Sequence, residues 1–304
     1  MADNMVKTND FLENEIIDLS EEIKLVSPTD TPLTTLLMSK GATVPANDIT
    51  VTWRERKLNE TRGTLKKEGD GIGDPVKSSR RTLSNVCQII EKVVEVSGTA
   101  EAVGETPFED EMIDRLIEVK RDMEWYFLNG VRAEETENIS RQMDGLINLV
   151  NSDNIIDGSA GLSESLIEDT LYQLWTHESV KEYYAFVNKE IKQQINDLYR
   201  NSENVRINVS QGMDQSVGIT VQRIVSDFGM LNLVLDRHMD ANTMLIVDLD
   251  QVQIAELRGT FFEMLPCKGD SEKGHVMNES SIKLLDSYSS AKIINIPVIA
   301  AENA

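Results

Sequence analysis

Two extended runs, residues 49–57 and 83–96, are separated by about 25 mostly polar residues that include Gly63, Gly69, Gly71, Gly73 and Pro75. In the first run Ile49, Val51 and Trp53 point one way and Thr50, Thr52, Arg54 and Arg56 the other, the period of a half-buried strand. The second run is rich in Val and Ile and alternates less cleanly. The stretch between them can bury almost nothing. This pattern predicts a long hairpin with a loose tip.

The hairpin is also a basic island. Residues 53–92 hold Arg54, Arg56, Lys57, Arg62, Lys66, Lys67, Lys77, Arg80, Arg81 and Lys92 against six acids, a net charge of +4 in a chain of −22. A polar segment of one sign makes no core of its own, so it lies on nucleic acid, on a membrane, on an acidic protein surface or free in solvent. The overall field repels phosphates, and only Trp53 supplies an aromatic ring among the bases. An acidic protein surface is the favoured partner. The stretch from Glu101 to Glu137 supplies one, with twelve acids against four bases.

At 304 residues the chain has room for one large domain or two modest ones. Cys87 and Cys267 lie far apart without a CxxC, which indicates neither a disulfide framework nor a zinc site and suits a reduced, intracellular setting. The N-terminus lacks a signal-peptide layout, and no apolar run approaches the roughly 20 residues of a membrane helix.

Residues 1–45 read as a helical arm. Asp10 and Glu13 have capping-box spacing ahead of Phe11, Ile16, Leu19 and Ile23, and Thr31 with Pro32 starts a second short helix. The strongest helix follows Pro107. Phe108, Met112, Leu116, Val119, Met123 and Phe127 keep a 3.6-residue period, widened by Ile113 and Ile117, and Glu109, Asp110, Glu111, Asp114 and Glu118 form the opposite, acidic face. Further on, Ser163 and Asn188 are helix caps, Tyr183–Val187 is a short buried strand, and strands dominate from about residue 219. The class is α+β.

Candidates for chemistry are weak. His177, His238 and His275 share no metal-ligand spacing and read as surface or interface residues. Asp248 and Asp250 resemble half a calcium loop but lack its Gly and distal Glu. Gly69, Gly71 and Gly73 match neither a dinucleotide fingerprint nor a phosphate loop. Residues 268–274 read as a charged connecting turn. No cofactor and no catalytic constellation is indicated.

Several ordered signatures carry a resemblance: Ser27-Pro28-Thr29-Asp30-Thr31-Pro32-Leu33, Thr52-Trp53-Arg54, Val96-Ser97-Gly98-Thr99, Lys120-Arg121-Asp122-Met123-Glu124, Val225-Ser226-Asp227-Phe228-Gly229, Asp236-Arg237 and Lys268-Gly269-Asp270-Ser271-Glu272-Lys273. Over nearly its whole length the chain resembles the major capsid proteins of tailed bacteriophages with the Hong Kong 97-type fold. The resemblance implies an N-terminal arm (1–45), an extended loop (46–97), a peripheral domain with a long spine helix (98–150) and an axial domain (151–240). Residues 241–304 would be strands completing both domains. It further implies a non-enzymatic subunit that assembles into hexamers and pentamers of an icosahedral head enclosing double-stranded DNA, made in the host cytoplasm and found in the virion. Portal, scaffolding and cement proteins would be further partners. Some relatives carry a scaffolding segment ahead of the arm, so scaffolding here is expected to be separate or removed as a leader. Some form Lys–Asn crosslinks, for which neither a catalytic acid nor an acceptor Asn matches here. Two alternatives stand beside this reading: a cellular nanocompartment shell of the same fold, and a soluble acidic enzyme with a flexible basic lid.

Overall fold

Long strands that bury one face and short strands that bury two organise the molecule into two large sheets and a separate two-stranded hairpin. The structure is a computed structural model that describes residues 30–59, 62–63, 65–69, 71–73, 75–104, 107–177, 181–200, 222–266 and 269–298. The helix expected over residues 10–23 lies outside the described residues.

The chain enters through α1 (Pro32–Ser39), with Pro at its first position as the Thr31-Pro32 pair predicts. Next come β1 (Thr43–Pro45), β2 (Thr50–Lys57), β3 (Ser79–Val86), β4 (Gln88–Ser97), α2 (Gly98–Val103) and α3 (Pro107–Asn129). The second extended run is therefore two strands rather than one. β2 and β3 pair only with each other, whereas β4, beyond Cys87, leaves the hairpin for a sheet. The mixed alternation of 83–96 has this cause: its two halves face different partners.

After α4 (Leu146–Leu149) and β5 (Ile155–Asp157) come α5 (Glu164–His177), β6 (Lys181–Val187), α6 (Lys189–Arg200), β7 (Arg223–Ser226), β8 (Gly229–Leu235) and β9 (Met244–Val247). The chain then runs through β10 (Val252–Leu265), β11 (Ser271–Leu284) and β12 (Ala291–Ile294). The cap expected at Ser163 forms, its Oγ accepting the Leu166 N–H at 3.1 Å, whereas Asn188 Oδ1 accepts the adjacent Lys189 N–H.

The first sheet has the order β1-β10-β11-β4, parallel at β1 and antiparallel elsewhere. β10 and β11 form a 14-residue-a-side hairpin whose register shifts near Arg258, which bends it. α3 lies on one face of this sheet, burying Val119, Met123 and Phe127 with Ile90, Val276 and Ile282. Truncating Phe127 to Ala would cost about 3–5 kcal/mol in such a site.

The second sheet has the order β5-β12-β9-β6-β8-β7. Tyr183, Ala185 and Val187 of β6 pack with Ile167, Leu171, Leu174, Ile191 and Ile195, while Phe186, Leu245 and Val247 turn to the cluster around α3. Both faces are covered, which is why the Tyr-Tyr-Ala-Phe-Val and Met-Leu-Ile-Val runs show no polar alternation. This shared wall joins the two halves of the chain.

Candidate assembly surface

The β2–β3 hairpin separates its side chains by the pleat. In register, Thr52, Arg54 and Arg56 lie opposite Ser84, Thr82 and Arg80, while Trp53, Glu55 and Lys57 lie opposite Leu83, Arg81 and Ser79. The second set faces the body. Trp53 Nε1 donates to the Leu284 carbonyl at 2.7 Å, the Ser287 N–H donates to Glu55 Oε1 at 2.6 Å, and the Lys57 ammonium sits 5.7 Å from the Tyr288 ring centre. Asn85 adds donor bonds to the Asp144 and Ile282 carbonyls at 2.9 and 2.8 Å. The hairpin is thus fastened to its own subunit along one side.

The other side is basic and uncompensated. Arg56 stands directly opposite Arg80, one pair from Arg54. Among the described residues no carboxylate lies within ion-pair distance of Arg54, Arg56 or Arg80. Like charges directly opposed across a strand pair are destabilising, so this face gains from an anionic partner. Between the hairpin root and α5 is a cleft of about 620 Å³, walled by Arg54, Arg56, Lys57, Arg81, His177 and Tyr288.

All nine sequence-predicted cations are exposed: Arg54, Arg56, Lys57, Arg62, Lys66, Lys67, Lys77, Arg80 and Arg81. Toward the tip, Gly69 takes a φ of +87°, a left-handed turn that a side chain disfavours, and Lys66 donates to the Gly71 carbonyl. The tip is not purely polar. Leu58, Leu65, Ile72 and Val76 are all exposed, Leu65 to 98%.

On α3, Asp110, Glu111, Asp114 and Glu118 fall within about 100° of one another on the side away from the buried Val119 and Met123, and Glu109 lies about 100° round the helix from Asp110. Arg115 already spans Glu111 at 3.1 Å and Glu118 at 2.8 Å. Glu109, Asp110 and Asp114 remain without such a partner among the described residues. Leu116, expected in the core stripe, is 47% exposed, and Ile113 is 51% exposed. They sit on the side that neither the sheet nor α1 covers. Lys92 on β4 bridges to Asp122 at 2.8 Å and ties the helix to the sheet.

One group escaped the sequence reading. Thr31 makes no side-chain cap on α1; instead Glu124 of α3 caps it from a distance. Its carboxylate accepts the Leu33 N–H at 2.6 Å, the Thr34 N–H at 2.8 Å and the Thr34 hydroxyl at 2.5 Å. Glu124 is fully buried, and burial raises its pKa to about 7, with the Asp236 charge adding to the rise and the Thr34 bonds opposing it. Asp236 is buried too; burial raises its pKa, while the His238 N–H donates to it at 2.8 Å. Arg237 reaches Asp30 at 3.6 Å. Three signature segments, Asp30–Leu33, Lys120–Glu124 and Asp236-Arg237, therefore meet at one knot.

A second meeting of signatures fixes the end of the β10–β11 hairpin. The Gly98 N–H donates to the Asp270 carbonyl at 2.9 Å, and a Cβ on Gly98 would lie 2.2 Å from the Asp270 carboxylate. Ser271 and Lys273 both reach Glu95, at 3.1 and 3.2 Å. His275, read as a surface or interface residue, is buried within the subunit between Glu91, at 2.5 Å, and Glu263, at 3.7 Å, on the neighbouring strands. Asp248 accepts the Asp250 N–H at 3.0 Å and pairs with Lys181 at 3.0 Å, so it caps a turn. Among the described residues no group of three or more His, Cys, Asp or Glu side chains is arranged to hold a metal ion.

Comparison with known proteins agrees with this architecture. The chain is similar to the capsid protein of a native GTA particle (TM-score 0.67, 11% identity, covering 92% of this chain and 95% of that one). It is also similar to the capsid protein of cyanophage A-1(L) (TM-score 0.66, 13% identity, 95% and 98% covered). The holo-SrpI encapsulin of Synechococcus elongatus PCC 7942 shares the fold as well (TM-score 0.59, 11% identity, 94% and 96% covered). No curated protein matches the sequence. The family model of the SU10 major capsid protein matches residues 4–297. With that span covering nearly the whole chain, the chain belongs to the SU10 major capsid protein family.

Proposed function

We propose that this capsid subunit assembles into the hexamers and pentamers of an icosahedral head that encloses double-stranded DNA. The single observation that carries the assembly mode is the arginine face of the hairpin, Arg54, Arg56 and Arg80, exposed and without a counter-ion in its own subunit. In the proposal the extended loop, expected over residues 46–97, is confined to 46–86, because β4 belongs to the first sheet. The β1-β10-β11-β4 sheet with α3 is the peripheral domain, and the six-stranded sheet with α5 and α6 is the axial domain. The loop lies on the acidic surface of the next copy, where Glu109, Asp110 and Asp114 are available. Exposed pairs are worth about 0–1 kcal/mol each, but repetition around a shell multiplies them.

The net charge of −22 suits a wall that contains DNA without adhering to it. Its role is structural, its place is the virion, and assembly in the host cytoplasm with scaffolding, portal and cement proteins completes the reading. Sedimentation of the purified chain tests it. Closed particles are expected, and a stable monomer or dimer at every salt concentration would overturn it.

Likeness to an encapsulin supports a second reading, a shell around cargo protein. The contents of particles purified from the native source separate the two: nuclease-protected DNA supports the head, and a single packaged protein supports the nanocompartment.

A further inference from the structure

The cleft at the hairpin root is built from three parts of one chain. The pleat that turns Trp53 and Glu55 to the body brings Lys57 and Arg81 to the same side, and Arg54 and Arg56 border the opening. His177, the last residue of α5, stands on the far wall, and Asp286 and Tyr288 come from the connection that follows β11. Both carboxylates of the lining accept backbone N–H groups, Glu55 from Ser287 at 2.6 Å and Asp286 from Tyr288 at 2.9 Å. Part of their charge is therefore answered inside the subunit, while five basic side chains border about 620 Å³ of open space.

We infer that this cleft binds a small polyphosphate, an anion carrying several phosphate groups. The guanidinium fork matches phosphate oxygens in pairs. The volume lies within the roughly 300–1,000 Å³ of small-molecule sites, and a cleft of that size has no room for a DNA duplex. The rings select against recognition of a base. Tyr288 already has the His177 ring at 4.9 Å and the Lys57 ammonium at 5.7 Å, which leaves no open slot between them for a third plane. Arg56 stands opposite Arg80 and one pair from Arg54, so a multivalent anion at the rim relieves a repulsion that a single charge would only dent. The carbonyl end of α5 lies on the same wall and favours cations. The hairpin guanidiniums, Arg81 first, must then hold the anion. A ligand so placed touches the hairpin, α5 and the β11–β12 connection at once, and fixes the hairpin root against the body. The site lies wholly within one subunit and stands apart from how the shell is built.

Calorimetric titration of the full chain with inorganic triphosphate tests this. One site per subunit is expected, with affinity falling from triphosphate through pyrophosphate to phosphate. Arg81→Gln should weaken binding by about tenfold or more. Arg81→Lys keeps the charge without the fork and should lose less. Lys189→Gln, at an exposed cation of α6 outside the cleft, should change nothing. Circular dichroism checks that each variant remains folded. ATP should match triphosphate, because no base is recognised. Bound triphosphate should also slow cleavage after the exposed Leu58 and Leu65 by a trace of chymotrypsin. Equal losses in Arg81→Gln and Lys189→Gln, several equivalent sites per subunit, ATP binding about tenfold tighter than triphosphate, displacement of triphosphate by a short DNA duplex, or unchanged cleavage would overturn the site.

Discussion

Glu124 and Thr34 are 90 residues apart, and the carboxylate of one accepts both the backbone N–H and the hydroxyl of the other, at 2.8 and 2.5 Å. Through this pair the spine helix holds the arm. The bond is made inside the protein beside a second carboxyl, that of Asp236, so it is sensitive to protons.

Burial raises the Glu124 pKa from 4.5 to about 7. A carboxyl whose folded pKa is raised favours the folded state most when protonated. Its contribution is therefore complete below about pH 4.5 and is lost as pH rises through 7, and Asp236 shifts in the same direction. The size is on the order of 3 kcal/mol. Hydrogen exchange at Leu33 and Thr34 should be slower at pH 5 than at pH 8.5 after correction for intrinsic rates, and Glu124→Gln should flatten the difference. An unchanged pH dependence in Glu124→Gln would remove Glu124 as its source.

Glu124→Ala deletes three hydrogen bonds and the only side-chain cap seen on α1. Urea unfolding should show a loss of about 2–4 kcal/mol. Thr31→Ala, at the position where a cap was expected, should cost less than about 1 kcal/mol, because its hydroxyl makes no capping bond.

Glu55→Ala frees the Ser287 N–H from its acceptor at the hairpin root. Cleavage within residues 58–78 by a trace of trypsin should quicken several-fold, with the thermal midpoint of the subunit nearly unchanged.

Neutralising Arg54, Arg56 and Arg80 to Gln removes a like-charge cluster that the monomer bears at a cost. The subunit should unfold at slightly higher temperature and yet assemble less well, with a flatter salt dependence. A variant that assembles normally would show that the arginine face has no partner in the shell.

Deleting residues 60–80 removes nothing from either large sheet or its core, so a folded subunit should remain. Light scattering should then show poor particle formation, and normal shells would refute the grip.

The hairpin, the spine helix and the α+β class were legible in the sequence because each rests on a local period: two for 49–57, 3.6 for 108–127. The split at Cys87 was not, since a change of strand partner leaves no period of its own. Leu116 was misplaced because a helical stripe tells which side is apolar and not how far the sheet extends beneath it. His275 looked like a surface residue until Glu91 and Glu263 appeared on the flanking strands, a pairing set by register alone. Glu124 was hidden for the opposite reason. Its partner is a helix end 90 residues away, and nothing local announces a remote cap.

The fastening of the hairpin root has a mechanical consequence. Trp53 and Glu55 are held by Leu284, the last residue of β11, and by Ser287 on the short connection to β12, one of two direct strand-to-strand passages between the sheets, the other running from β9 to β10. The hairpin therefore takes its aim from the angle between the sheets. A small tilt there swings a long lever, so the curvature of a whole container would be written in the short connections between the two sheets.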